Sequence, residues 1–124
     1  MPFSTGYGET PVVSLVVTCK GRLHHLKQTL PTMLGQQCSW PFKVIVVDYG
    51  CPQDTFDWCR ELDVRGLTAV KVLDRSEPFN LSRARNCGAR LAQGQIIGFV
   101  DADIMLDRDW LQSVLPPLMQ SRVG

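Results

Sequence analysis

Charge of one sign is what this 124-residue chain most clearly lacks, since 13 Lys and Arg stand against 12 Asp and Glu. That balance removes the long-range attraction on which nucleic-acid binding rests, so no nucleic-acid partner is expected. Long apolar runs are also absent. The longest, Val44 to Val47 and Ile96 to Val100 with its Gly98, fall far short of the roughly 20 residues a membrane-crossing helix needs, and no membrane span is expected. Residues 1–10 hold no basic stretch leading into an apolar one, so nothing there reads as a secretory signal and a cytoplasmic location is the default. The five cysteines, Cys19, Cys38, Cys51, Cys59 and Cys87, contain no Cys-x-x-Cys pair, which argues against a zinc knuckle or a redox dithiol and for buried or otherwise reduced thiols. Cys51 falls in a loop, yet no activating base stands beside it in the sequence. Repeats and low-complexity tracts are missing too.

What is present is an ordinary soluble composition, 44% hydrophobic and 20% charged, long enough for one core and too short for two. Four apolar, β-branched runs, 12–17, 43–47, 68–73 and 95–100, read as buried strands. Between them lie amphipathic stretches. Over 22–34, Leu23, Leu26, Leu30, Met33 and Leu34 keep helical spacing, and Pro31 is expected to kink or restart that helix. A second helix begins at Asp54, whose carboxylate can cap free amides, and buries Phe56, Cys59 and Leu62. A third spans 81–93 with Ala84, Gly88, Leu91 and Ala92 inward and Gly94 as its stop. A fourth opens near Asp107, with Leu111, Val114 and Leu115 on one side, and Pro116-Pro117 is expected to interrupt it. Strand followed by helix, repeated, implies an α/β sandwich of three layers around a mainly parallel sheet.

Ligands of such sheets gather beyond the carboxyl ends of the strands, and the polar chemistry of this chain falls there. Asp101 and Asp103 are two residues apart after the fourth apolar run. In extended backbone both carboxylates face one side, and two hard oxygens suit Mg²⁺ or Mn²⁺ carrying a diphosphate; a helix cap with a solvated neighbour is the plainer alternative. After the first run, Gly21 permits close backbone approach, while Lys20 and Arg22 place positive charge at a helix start, a setting for phosphate as well as for an ordinary turn. Asp48 ends the second run and could accept a hydrogen bond from a base or ribose, or open a turn at Gly50. Arg83 and Arg85 flank the apolar face of the third helix on opposite sides, so at most one is expected in the cleft. His24 and His25 have no patterned partner and read as surface or semi-buried.

Taken together, Val13 to Thr18, Val44 to Gly50, Ala84 to Ala89 with Gly94, and Phe99 to Asp103 resemble the successive blocks of family-2 glycosyltransferases along nearly the whole chain. The resemblance implies a GT-A fold, a nucleoside diphosphate sugar as partner, a uridine diphosphate sugar foremost, and Mn²⁺ or Mg²⁺ joining the diphosphate to the Asp-x-Asp motif. It implies that Thr18 and Asp48 line the base and ribose pocket, that Asp101 meets the ribose and a metal-bound water, and that Asp103 binds the metal. With Lys20, Arg22, Tyr49, Arg83 and Arg85 these form the candidate nucleotide-sugar site. Many relatives carry Asp-Asp-Gly-Ser where this chain has Asp48-Tyr49-Gly50-Cys51, so a phenol replaces a carboxylate that often reads the base. The family places its acceptor site and catalytic base after the Asp-x-Asp block, and only residues 104–124 follow here. The base is therefore expected beyond Gly124, and residues 1–124 are expected to be a single incomplete domain, truncated after the motif.

A nicotinamide-dependent dehydrogenase would need Gly-x-Gly-x-x-Gly after its first strand, and Thr18 to Arg22 has one glycine. A haloacid-dehalogenase-like phosphatase would open on its Asp-x-Asp rather than end on it. The serious rival is a non-catalytic nucleotide-sugar-binding remnant or interaction domain. By the strand order that the resemblance implies, the fourth strand lies beside the first with its other edge uncovered. Self-association is expected there, or through Leu111, Val114, Leu115 and Leu118 of the neighbouring helix.

Overall fold

The computed structural model describes residues 11–49, 54–72 and 81–121. Strands and helices alternate: β1 (Val13–Cys19), α1 (Leu23–Leu34), β2 (Phe42–Tyr49), α2 (Thr55–Leu62), β3 (Leu67–Val72), α3 (Leu81–Leu91), β4 (Ile96–Asp101) and α4 (Trp110–Ser121). All four strands are parallel, in the order β3-β2-β1-β4. The chain steps outward from β1 to β2 to β3, then returns to the opposite flank of β1. Strand order thus reverses between β1 and β4, the point at which open α/β sheets take ligands.

Buried β-branched residues on both sides of β1 and β2 explain why these strands are central, since each face must be covered. On one face, Val13, Leu15, Val17, Val44 and Val46 pack with Leu26, Leu30 and Met33 of α1, Cys59 of α2, and Leu111 and Leu115 of α4. On the other, Val16, Ile45, Val47 and Tyr49 pack with Ala84 of α3. The architecture is the expected three-layer sandwich. Gly88 is what lets α3 lie so close, because a Cβ there would stand 2.3 Å from Val16 Cγ1. The Ser14 hydroxyl donates to Gln93 O at 2.8 Å and accepts from Gln93 N at 2.9 Å, tying the end of α3 to β1.

Several expectations are corrected. Pro31 does not restart α1, and Pro116 and Pro117 do not interrupt α4. Pro31 is exposed while Leu30 and Met33 beside it are buried, and Gly35 N donates to Pro31 O at 2.9 Å, so core packing holds both turns across the missing amide. Helix α4 starts at Trp110 rather than near Asp107. Leu62 and Leu91, expected inward, are exposed at the last turns of their helices, and Phe56 is half-buried. Leu111 and Leu115 have their partner surface within the chain, being buried against the sheet, which removes them from any self-association face. Cys19, Cys38 and Cys59 are buried thiols and Cys87 is half-buried. Gly50, Cys51 and the segment after β3 lie outside the described residues.

Candidate functional site

At the reversal point, Thr18, Lys20, Arg22, Leu81, Asp101, Ala102 and Asp103 line a cavity of about 320 Å³. Parallel pairing sets Thr18 opposite Asp101, so the ends of β1 and β4 arrive side by side. Thr18 is buried, whereas Lys20, Arg22, Asp101 and Asp103 are exposed and can meet a ligand from solvent. The chain turns from β1 into α1 at Gly21, whose φ of +67° is a left-handed conformation that glycine adopts without strain. A Cβ at Gly21 would meet nothing within 4 Å. The turn therefore requires glycine for its backbone conformation, and the space beside it is open on the protein side.

The first turn of α1 is left open. Arg22 at its cap makes no side-chain cap hydrogen bond, and no acidic residue follows in the turn. The partial positive charge of the helix start adds to that of Lys20 and Arg22, which line the same cavity as the two carboxylates. Such a pairing of cations with oxygen donors suits an anion that itself carries a cation.

The remaining candidates lie elsewhere. Asp48, 1% exposed, turns toward α2, where its Oδ2 accepts the Phe56 amide at 3.0 Å. Asp54, expected to cap α2, makes no such bond; the cap comes from the end of β2 instead. Tyr49 is buried on the α3 face. It borders a separate cavity of about 200 Å³ with Val72, Arg83, Asn86, Cys87 and Arg90. Arg85 leans the other way, its guanidinium carbon 5.4 Å from the Phe99 ring centroid. The two arginines do flank α3 on opposite sides, and neither lines the Asp101–Asp103 cavity. His24 is exposed and His25 half-buried, with ring centroids 4.0 Å apart. An open groove of about 840 Å³ between α1 and α2 mixes Lys27 and Arg60 with Asp54, Asp57 and Glu61, and nothing there converges on one chemistry.

Two α1 residues, and Gln36 just past the helix, reach the segment that carries Asp103. Thr29 Oγ1 donates to Ala102 O at 2.6 Å, Thr32 Oγ1 accepts the Leu106 amide at 3.1 Å, and Gln36 donates to Asp107 O while accepting the Leu111 amide at 2.8 Å. Thr29 and Gln36 are 3% and 4% exposed, so these are interior bonds. Sequence reasoning passes over them because polar residues on an amphipathic helix read as its wet face. Their spacing, in step with buried Leu26, Leu30 and Met33, is the signal that could have revealed them.

A parallel sheet with helices on both faces and polar residues gathered at its reversal point defines an α/β sandwich with a candidate ligand site at that point. The glycosyl transferase family 2 profile matches residues 14–124, and the chain belongs to that family. It is 33% identical over 108 residues to the hyaluronan synthase of Pasteurella multocida, which covers 87% of this chain and 11% of that protein. Its fold matches residues 1–349 of S. aureus TarS with a TM-score of 0.74 at 19% identity, over 88% of this chain and 32% of that one. It also matches the Pyrobaculum calidifontis mannosyltransferase PcManGT in complex with GDP-Man and Mn²⁺, with a TM-score of 0.66 at 24% identity, over 87% of this chain and 34% of that one. These matches give the GT-A fold. The chain spans about a third or less of each protein's length. No helix among the described residues is long and apolar enough to cross a membrane.

Proposed function

We propose that the chain is the nucleotide-sugar-binding part of a glycosyltransferase, holding a nucleoside diphosphate sugar through Mn²⁺ or Mg²⁺ for transfer of the sugar to an acceptor. The observation that carries this reading is the meeting of Thr18, Lys20, Arg22, Asp101 and Asp103 in one cavity at the strand-order reversal. The donor set fits the ion. Among the described residues no cluster of three or more His, Cys, Asp or Glu could cage a metal, and two carboxylates are what Mg²⁺ commonly takes when phosphates and waters complete its shell. In this reading Asp103 binds the metal, Asp101 meets the ribose and a metal-bound water, and Lys20, Arg22 and the open start of α1 face the diphosphate. A divalent ion held there would neutralise phosphate charge and stabilise the leaving diphosphate.

Support for the ligand class also comes from solved relatives in fold. TarS has been solved in complex with UDP and with UDP-GlcNAc, and PcManGT with GDP-Man and Mn²⁺. Uridine is the base proposed first. Asp48 reaches a ligand only alongside its bond to α2, and Tyr49, Arg83 and Arg85 are left out of the diphosphate contacts. No residue of this chain is assigned as the catalytic base, so residues 1–124 alone are expected to bind donor without repeated transfer; general-base catalysis typically contributes about 10²- to 10⁴-fold.

Titration calorimetry with UDP and GDP, with and without Mn²⁺, tests the proposal. Binding should strengthen with Mn²⁺, and Asp103→Ala should remove that metal dependence while the melt stays cooperative. A folded sample that binds neither nucleotide overturns the reading.

A further inference from the structure

We infer that Thr29 of α1, assisted by Thr32 of the same helix and by Gln36 just past its end, is a positioning residue that sets the geometry of Asp103. The inference rests on the proposed role of Asp103 in metal-dependent nucleotide binding. Between the end of β4 at Asp101 and the start of α4 at Trp110 the chain has no regular structure beyond turns. Side-chain burial holds it only at Ala102 and, in part, at Leu106, since Asp103, Ile104 and Met105 between them are exposed. A segment with so few apolar contacts opens easily unless its backbone is tied down.

Helix α1 and Gln36, just past its C-cap, supply such ties. The Thr29 hydroxyl holds Ala102 O at 2.6 Å. That carbonyl shares a rigid peptide plane with the Asp103 amide, so fixing it fixes where the Asp103 Cα begins. The Thr32 hydroxyl donates to Thr29 O at 2.6 Å and takes the Leu106 amide. The Gln36 amide group donates to Thr32 O at 3.1 Å and to Asp107 O, and its carbonyl takes the Leu111 amide. Loop backbone at 102 and 106 is thus bound by α1 itself, and 107 and the first turn of α4 at 111 by Gln36 just past its end. The same helix begins at Arg22, which lines the cavity. One helix therefore carries a cation of the cavity at its start and ties the Asp103 segment further along, and a carboxylate held in place before the ion arrives loses less freedom on binding.

The test uses Thr29→Val, which keeps the shape and removes the donor, and Thr29→Ser, which keeps the donor. Thr32→Val serves as an independent variant should the first fold poorly. In the metal-free chain, amide hydrogen exchange should rise about tenfold or more at Ile104 and Leu106 in Thr29→Val, with β1 and β2 amides unchanged, and should return toward wild type in Thr29→Ser. Mn²⁺-dependent UDP affinity should fall on the order of tenfold in Thr29→Val, the lower end of what losing an outer-shell partner does to a metal site, while metal-free UDP affinity holds. Unchanged exchange in the loop overturns the inference, and so does raised exchange with full Mn²⁺-dependent affinity. If the wild-type chain binds no nucleotide, the proposed function fails and the exchange result alone decides whether α1 sets this loop.

Discussion

Replacing Asp48 by Ala separates a structural duty from a ligand duty at the end of β2. The carboxylate is buried and accepts the amide of Phe56, the second residue of α2, while Asp54 offers no side-chain cap. Losing a capping acceptor costs about 1 kcal/mol, within a range of roughly 0.5–2. Removing a negative charge from a helix start adds roughly 0.3–1 kcal/mol. Asp48→Ala should therefore destabilise the chain by about 1–3 kcal/mol. Asp48→Asn retains an acceptor oxygen and gives up the charge, so it should lose about 0.3–1 kcal/mol. For a domain of this size each kcal/mol moves Tm by roughly 3–6 °C, which puts Asp48→Ala about 3–18 °C below wild type. Urea unfolding followed by tryptophan fluorescence and circular dichroism reads these differences, provided the two probes coincide. Asp48→Ala within about 0.3 kcal/mol of wild type, or Asn as damaging as Ala, would refute the capping argument.

Three other outcomes follow from the packing. Gly88→Ala should cost about 1–3 kcal/mol by urea unfolding, because its Cβ would stand 2.3 Å from Val16 Cγ1 and 3.1 Å from Val47 Cγ2; a neutral effect would show that α3 can move off the sheet. Burial pushes the Cys38 thiol above its ordinary pKa, with a hydrogen bond from the Trp40 backbone opposing the shift. A raised thiol favours the neutral form in the fold, so its contribution is full below the unfolded thiol's pKa of about 8.5 and is lost as pH rises toward the folded value; stability should fall more steeply above that pH in wild type than in Cys38→Ala, and equal slopes would contradict this. Strand β4 has β1 as its one strand neighbour among the described residues, and its Ile97 and Phe99 are 40% and 46% exposed. The chain should self-associate there with rising concentration, and Ile97→Lys should shift light-scattering mass toward the monomer; a wild-type monomer at high concentration would contradict the expectation.

Periodicity made the order of strands and helices readable, and the carboxyl-end placement of Thr18, Lys20, Arg22, Asp101 and Asp103 followed from the parallel α/β pattern before any coordinates. Helix continuity through Pro31 and Pro116-Pro117 was not readable, because local rules cost the lost amide and crowding at these positions, while burial of Leu30, Met33, Leu111 and Leu115 is a tertiary effect. The bond from Asp48 to Phe56 depends on where β2 ends relative to α2, a distance that spacing along the chain does not contain. Arg83 and Arg85 were placed on opposite sides of α3 by helical geometry alone, yet which neighbour each would meet required the sheet order. Thr29 and Gln36 stayed hidden because their partners are backbone atoms more than 70 residues away.

The most direct test of the proposed site is Mn²⁺-induced line broadening of backbone amide signals in the presence of UDP. A metal held by Asp103, with Asp101 at a metal-bound water, beside the start of α1 should broaden the amides of residues 18–23 and 101–104 first, and Asp103→Ala should abolish the effect. Broadening centred on Arg83 and Arg90, broadening along the Lys27–Glu61 groove, or none from a folded chain would contradict a nucleotide–metal site at the β1–β4 reversal.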